Sequence, residues 1–433
     1  MKTLKEKSGC WFAGSSITAE EREEAIKIPA FTQENGNLTC NRCSEKITTD
    51  WQLPDGTRYC RSCILLGRLT EDDHLYYFPP KTFPKRNALQ WKGKLTSYQK
   101  EISGSLVQSL EDRKDSLVHA VTGAGKTEMI YEVVARVIDE GGQVCLASPR
   151  IDVCIELYKR LSKDFSCDID LLHGDSEPYS GSPLIIATTH QLLKFYHSFD
   201  LILVDEVDAF PYVDNKILYH AVRTAKKADG LTIYMTATST EELDKQVKKG
   251  ILKKRTLSRR FHGNPLIEPR NIWLTGLEKK VDSGKIPLKL KRYLERQFQT
   301  GYPLLIFVPD IAFGKKIKKV LCQQYPKVSI GFVSSDSPDR LEEVEMFRHG
   351  DLRVLISTTI LERGVTFPKV DVFVLLAHHK LFTSSSLIQI GGRVGRSLER
   401  PTGDLLFFHE GLTRAIKKTK KEIRQMNNLG GFK

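Results

Sequence analysis

Ala120-Val121-Thr122-Gly123-Ala124-Gly125-Lys126-Thr127 and, further along, Leu201-Ile202-Leu203-Val204-Asp205-Glu206-Val207-Asp208 decide how this chain is read. The first stretch follows an apolar run, Leu117 to Ala120. It opens a helical pattern in which Met129, Ile130, Val133, Val134, Val137 and Ile138 share one face and Gly141-Gly142 ends the helix. A glycine-bearing turn between a buried strand and a helix is a phosphate cradle, because backbone N–H groups converge there and the helix dipole favours an anion. Gly123 and Gly125 give the turn its freedom, and Thr122 and Ala124 complete it. Lys126 is expected at the β- and γ-phosphates of ATP and Thr127 on Mg²⁺. Ala120 stands where the strict pattern has its first glycine. In the second stretch an apolar strand runs into acids, which places carboxylates at the carboxyl edge of a parallel sheet. Asp205 is expected to hold Mg²⁺, and Glu206 to orient and deprotonate the attacking water.

The rest of the chain repeats this alternation. Val144 to Ala147, Leu184 to Ala187 and Leu231 to Met235 read as further buried parallel strands around the first two. Lys253 to Pro269 is basic, carries a Gly and two Pro residues, and reads as a linker. A second set of strands follows at Leu304 to Val308, Ser329 to Val333, Val354 to Ser357, Val372 to Leu376 and Leu405 to Phe408, with helical segments such as Lys315 to Gln324 between them. The expected fold is α/β: two tandem parallel-sheet lobes, residues 86–255 and 256–433, behind an N-terminal arm (1–30) and a metal-binding module with its connector (31–85). The basic run Arg414 to Arg424 fits a solvated helix face or a phosphate-contacting one.

Length and charge agree with this reading. A chain of 433 residues exceeds one typical core. Its formal net charge of +13 favours a polyanionic partner such as nucleic acid. No apolar run approaches the length of a spanning helix, and no secretory signal pattern is present, so a cytoplasmic protein is expected. Nine cysteines then point to metal ligands or buried thiols rather than disulfides.

Four of the nine are paired as Cys40-x-x-Cys43 and Cys60-x-x-Cys63, the spacing of two knuckles that supply the four thiolates of a structural Zn²⁺ site. Pro54-Asp55-Gly56 between them is a turn signal. A ribbon this small has little core, so metal is expected to supply its folding free energy. Arg42, Arg58 and Arg61 leave open whether it meets DNA or protein. The aromatic connector from Tyr76 to Phe83 is expected to pack the ribbon onto the first lobe rather than to stack bases.

Further segments resemble, in order, the motifs of superfamily-2 helicases, over about residues 90 to 410. Leu95-Thr96-Ser97-Tyr98-Gln99 is similar to the adenine-reading Q motif, which puts Gln99 on the base. Ser148-Pro149-Arg150 and Thr188-Thr189-His190-Gln191 resemble strand-contact motifs. Thr236-Ala237-Thr238 resembles the motif that couples the two sites. Ser357-Thr358-Thr359 through Glu362-Arg363-Gly364-Val365 resembles the fifth motif. Gln389-Ile390-Gly391-Gly392-Arg393-Val394-Gly395-Arg396 resembles the sixth, whose arginines act as fingers. The resemblance implies DNA contacts from Pro149, Arg150, Thr189, His190, Gln191, Thr358 and Thr359, and a nucleotide contact from Gly364. Arg393 and Arg396, three apart, are expected on one helical face, delivering charge to the γ-phosphate.

A narrower resemblance is to the ComFA family of late-competence ATPases. It is carried by Thr188 to Leu193, Phe199-Asp200, Val204 to Pro211 and the four-cysteine module ahead of the motor. It implies an ATPase stimulated by single-stranded DNA that helps draw the incoming strand into the cytoplasm. It also implies a ComFC-like partner and a ComEC-like membrane channel, with a peripheral position at the inner face of the cell membrane; homo-oligomerisation stays open. Two other readings compete: a primosomal replication-restart helicase, told apart by strand separation on forked DNA, and a zinc-dependent, nucleotide-gated DNA clamp, told apart by turnover.

Overall fold

The computed structural model describes residues 4–34 and 36–432. The chain forms two compact units. One comprises residues 1–119 and 126–256; the other comprises 120–125 and 257–433.

The first unit begins with strands β1 (Trp11–Ala13), β2 (Ile26–Pro29), β3 (Phe31–Glu34), β4 (Asn37–Cys40), β5 (Lys46–Ile47) and β6 (His74–Tyr77). They make two small antiparallel sheets, ordered β1-β6-β2 and β3-β4-β5. The expected arm is therefore corrected from residue 7 onward: Lys7 and Ser8 are buried, and Cys10 and Trp11 are each 3% exposed. The Trp11 indole N–H donates to Leu193 O at 2.8 Å, and its ring stacks on Tyr196 at 4.5 Å. Polar flanks disguised a short apolar anchor too brief to show a period. From the connector, Tyr77 and Phe78 are buried, as packing onto the motor requires.

The main sheet of this unit contains β7 (Ser116–Ala120), β8 (Val144–Ser148), β9 (Ile169–Leu172), β10 (Leu184–Thr188), β11 (Phe199–Val204), β12 (Lys226–Thr236) and β13 (Lys253–Leu257). Its order is β13-β7-β12-β11-β8-β10-β9, and every register recorded from β7 to β9 is parallel. The central strands are buried on both faces, which explains their unbroken apolar runs. Strand β13 corrects the expected linker. Lys-Lys-Arg-Thr-Leu is an edge strand, and charged side chains are what an edge tolerates.

The second unit is built on β14 (Arg270–Trp273), β15 (Leu304–Phe307), β16 (Ile330–Val333), β17 (Val354–Ser357), β18 (Asp371–Val374) and β19 (Leu405–His409). All are parallel, in the order β14-β19-β18-β15-β17-β16. The chain ends in the helix Arg414–Leu429, which buries Ile416, Thr419 and Ile423 and turns its lysines outward. Of the nine cysteines, eight are buried and Cys322 is exposed. No helix among the described residues is long and apolar enough to cross a membrane.

Candidate nucleotide and metal sites

Strand β7 delivers the chain to the loop Ala120–Gly125, and the helix Lys126–Met129 leaves it. Gly123 and Gly125 hold φ at +78° and +74°, the left-handed region that suits glycine and turns successive N–H groups to one side. The Thr122 hydroxyl is buried and has no hydrogen-bond partner. An orphaned hydroxyl in a converging turn fits an oxygen-rich ligand such as a phosphate.

Strand β11 delivers the acids. Lys126 Nζ lies 3.3 Å from Asp205 Oδ1, and the Glu206 N–H donates to the other acid's Oδ1 at 2.8 Å. Glu206 itself sits at φ +55°, uncommon for a non-glycine residue and a form of strain found at functional sites. Cys154 is close by, and burial pushes its thiol up to about 12, with the carboxylates of Glu206 and Asp205 adding to the effect. Its thiol is fully buried and donates to Ala187 O at 3.2 Å.

Asp208 closes the set. It accepts from Thr236 Oγ1 at 2.8 Å and, through its other oxygen, from Thr238 Oγ1. Thr236 Oγ1 also accepts the Thr238 N–H at 3.0 Å. The acid strand and Thr236-Ala237-Thr238 are thus one hydrogen-bonded piece. His119 Nε2 lies 3.1 Å from Ala237 O, and burial and then Lys254 hold its pKa below the ordinary value.

Other expected residues have more varied surroundings. Gln99 is 5% exposed, and its side-chain oxygen accepts the Thr96 N–H at 2.9 Å in a capping box that starts the helix Ser97–Glu111. Arg150 is the N-cap of the helix Ile151–Asp164, beside half-buried Pro149. Thr189 is fully buried, His190 is exposed and Gln191 half-buried, so these neighbours do not share one surface. Thr358 and Thr359 are half-buried, and Gly364 adopts φ +77°.

Arg393 and Arg396 need a correction. The helix Ser384–Gly391 stops before both, since Gly392 caps it and Gly395 turns at φ +68°. They lie in a turn, not on a helical face. Arg393 is 1% exposed, and Arg396 Nε donates to Gly392 O at 2.8 Å. The glycines of the segment favour this turn over a continued helix.

The four ribbon thiols lie within 4.8 Å of one another and are all buried. Sγ separations are 3.8 Å for Cys40–Cys63 and 3.5 Å for both Cys43–Cys60 and Cys60–Cys63. A tetrahedral Zn²⁺ with bonds of about 2.3 Å needs sulfurs about 3.8 Å apart, so the donor set fits that ion. Arg42, also 1% exposed, was missed as part of this centre. Its Nε and Nη2 donate to Cys63 Sγ at 3.3 and 3.2 Å, and it further binds Cys63 O, Leu66 O and Gly67 O. Arg58 is held by Glu71 at 2.7 Å, which leaves Arg61 as the outward one of the three ribbon arginines. The ribbon is tied to its unit as well: His220 Nε2 is 3.1 Å from Asn41 O.

A phosphate loop and acid-tipped strand on one parallel sheet, with a second parallel sheet in the same chain, make two RecA-like lobes, structurally similar to superfamily-2 helicases. The comparisons agree. Residues 92–241 match the model described as type III restriction enzyme, res subunit, and 287–397 match the helicase conserved C-terminal domain. Residues 2–77 match the competence protein ComFA N-terminal domain. The chain is 59% identical to competence protein ComFA of Streptococcus pneumoniae, covering 100% of both chains. It is 37% identical to that of Bacillus subtilis, over 96% of this chain and 92% of the other. Among solved structures, S. cerevisiae Dbp5 bound to RNA and ADP BeF3 matches with a TM-score of 0.57 at 18% identity, over 77% of this chain and 88% of that one. This chain belongs to the ComFA family of competence proteins, with the fold of a helicase-like ATPase.

Proposed function

We propose that this protein is an ATPase stimulated by single-stranded DNA, which moves along the strand and helps draw transforming DNA into the cytoplasm. The observation that carries the reading is that the acid-bearing segment pairs Lys126 with Asp205 and Asp205 with the Glu206 N–H and, two residues on, ties Asp208 to Thr236 and Thr238. Lys126 and the loop N–H groups hold the phosphates. Glu206 orients a water and takes its proton. Thr127 and Asp205 would hold Mg²⁺, which would supply charge neutralisation at the phosphates. Arg393 and Arg396 balance transition-state charge, so turnover depends on where the segment that carries them sits. Asp208 passes the state of the acids to Thr236 and Thr238, and through them to the strand-contact segments.

Zinc on Cys40, Cys43, Cys60 and Cys63 is structural in this reading. The family membership supports DNA as the partner. A ComFC-like protein and a ComEC-like channel follow from the same kinship. No observation singles out a restart helicase or a passive clamp.

The test is ATP turnover with and without single-stranded DNA at fixed salt. Wild type is expected to be stimulated. Lys126→Ala and Glu206→Gln are expected to lose roughly two orders of magnitude or more in turnover while keeping wild-type circular dichroism. Wild-type rates in either variant would refute the assignment.

A further inference from the structure

Arg260 belongs to none of the helicase-like segments. It lies just after β13, is 3% exposed, and falls in the second unit, as does the loop Ala120–Gly125. Its Nη1 donates to Val394 O at 2.7 Å and also to Gly395 O. Its Nε and Nη2 are buried and have no hydrogen-bond partner. The side chain runs along the phosphate loop: a Cβ built on Gly123 would stand 3.8 Å from both Cγ and Cδ of Arg260. The next residue fixes the register, since the Phe261 N–H donates to Gly123 O at 3.0 Å. On the other side of the loop the Thr122 hydroxyl is orphaned too, and a Cβ on Gly392 would come within 2.1 Å of it.

Burying a guanidinium with two idle donors is costly unless an anion takes them. Among the described residues, no carboxylate is paired with the Arg260 guanidinium. Burial, and then the positive charge of Arg396, bring the pKa of Arg260 down to about 9, which still leaves it protonated at neutral pH. A planar donor edge facing a phosphate loop suits a phosphate oxygen pair.

We propose that Arg260 is a nucleotide-binding arginine in its own right. Its Nε–Nη2 edge takes phosphate oxygens of the nucleotide in the loop, while Nη1 keeps its grip on Val394 and Gly395. Phosphate occupancy is thereby reported to the segment that bears Arg393 and Arg396. This inference rests on the ATPase reading above.

The experiment compares wild type, Lys126→Ala, Arg260→Gln and Arg260→Lys in the full chain. Binding of a fluorescent ATP analogue and thermal unfolding with and without ATP are the readouts. Arg260→Gln is expected to weaken nucleotide binding roughly ten- to a hundred-fold. Its nucleotide-free melting temperature should equal or exceed wild type, because an unpaired buried charge is gone. A merely structural arginine would lower that temperature and leave affinity intact, and this result overturns the proposal. Should Arg260→Gln lose both stability and affinity, Arg260→Lys decides: partial recovery of binding supports a phosphate contact, and none overturns it. If wild type binds no nucleotide, or Lys126→Ala binds it equally well, the ATPase reading falls. If those two behave as expected and Arg260→Gln keeps wild-type affinity, only the role of Arg260 falls.

Discussion

Replacing Arg42 with methionine tests how the ribbon balances its charge. Four thiolates around Zn²⁺ leave a net double negative charge in a buried site, and Arg42 is the cation that the structure places on it. Methionine keeps much of the volume and removes all five donated hydrogen bonds. The Leu66 and Gly67 carbonyls are on half-buried residues, so water can replace the arginine there. Cys63 Sγ and O are buried, and the charge-assisted bonds to them go unrepaired. At about 1.5–3 kcal/mol for a hydrogen bond to a charged group, less what the methionine recovers by packing, the loss is about 3 kcal/mol. That corresponds to roughly a hundred-fold weaker metal retention. The assay is zinc transfer to a chromogenic chelator, with total zinc per chain measured by elemental analysis before mixing. Arg58→Gln, which breaks only the Glu71 pair at the partly exposed surface, serves as control and should release zinc like wild type. Arg42→Met retaining zinc within two-fold of wild type would refute the reasoning.

Asp208→Ala removes the acceptor shared by Thr236 and Thr238 and leaves the Lys126 and Glu206 side chains in place. It should leave nucleotide binding near wild type and cut the stimulation of turnover by single-stranded DNA about ten-fold or more, as a ratio of stimulated to basal rates shows. Trp11→Ala deletes a nearly fully buried ring and orphans Leu193 O; at roughly 3–5 kcal/mol for such a truncation, residues 1–77 should become far more sensitive to limited proteolysis while the sheet of the same unit stays resistant.

What the sequence displays and what it hides divide along physical lines. Strands buried on both faces, such as Leu201 to Val204, must be apolar throughout, so their runs could be seen, along with the acids that end them. The zinc knuckles were legible because metal coordination ties residue type to spacing. Strand β13 was hidden, since an edge strand can afford the charges of Lys253, Lys254 and Arg255, which read as linker. The N-terminal anchor was hidden because one tryptophan and one cysteine do their packing through partners far away in sequence. The helical placement of Arg393 and Arg396 failed because a spacing of three fits a helical face and a glycine-rich turn alike, and Gly392 and Gly395 settle it for the turn. Arg260 had no signature at all: an arginine among basic neighbours is unremarkable until its burial is known.

The distribution of thiols has a practical side. Cys10, Cys145, Cys154 and Cys167 are shielded by packing and the ribbon four by their own cluster, which leaves Cys322, on the helix Ile311–Gln324, open to solvent. A maleimide dye should therefore decorate the native polypeptide at one defined point of the second unit. With a second label introduced in the first, single-molecule energy transfer would test whether the distance between the two labels changes during ATP turnover, without first stripping any cysteine from the chain.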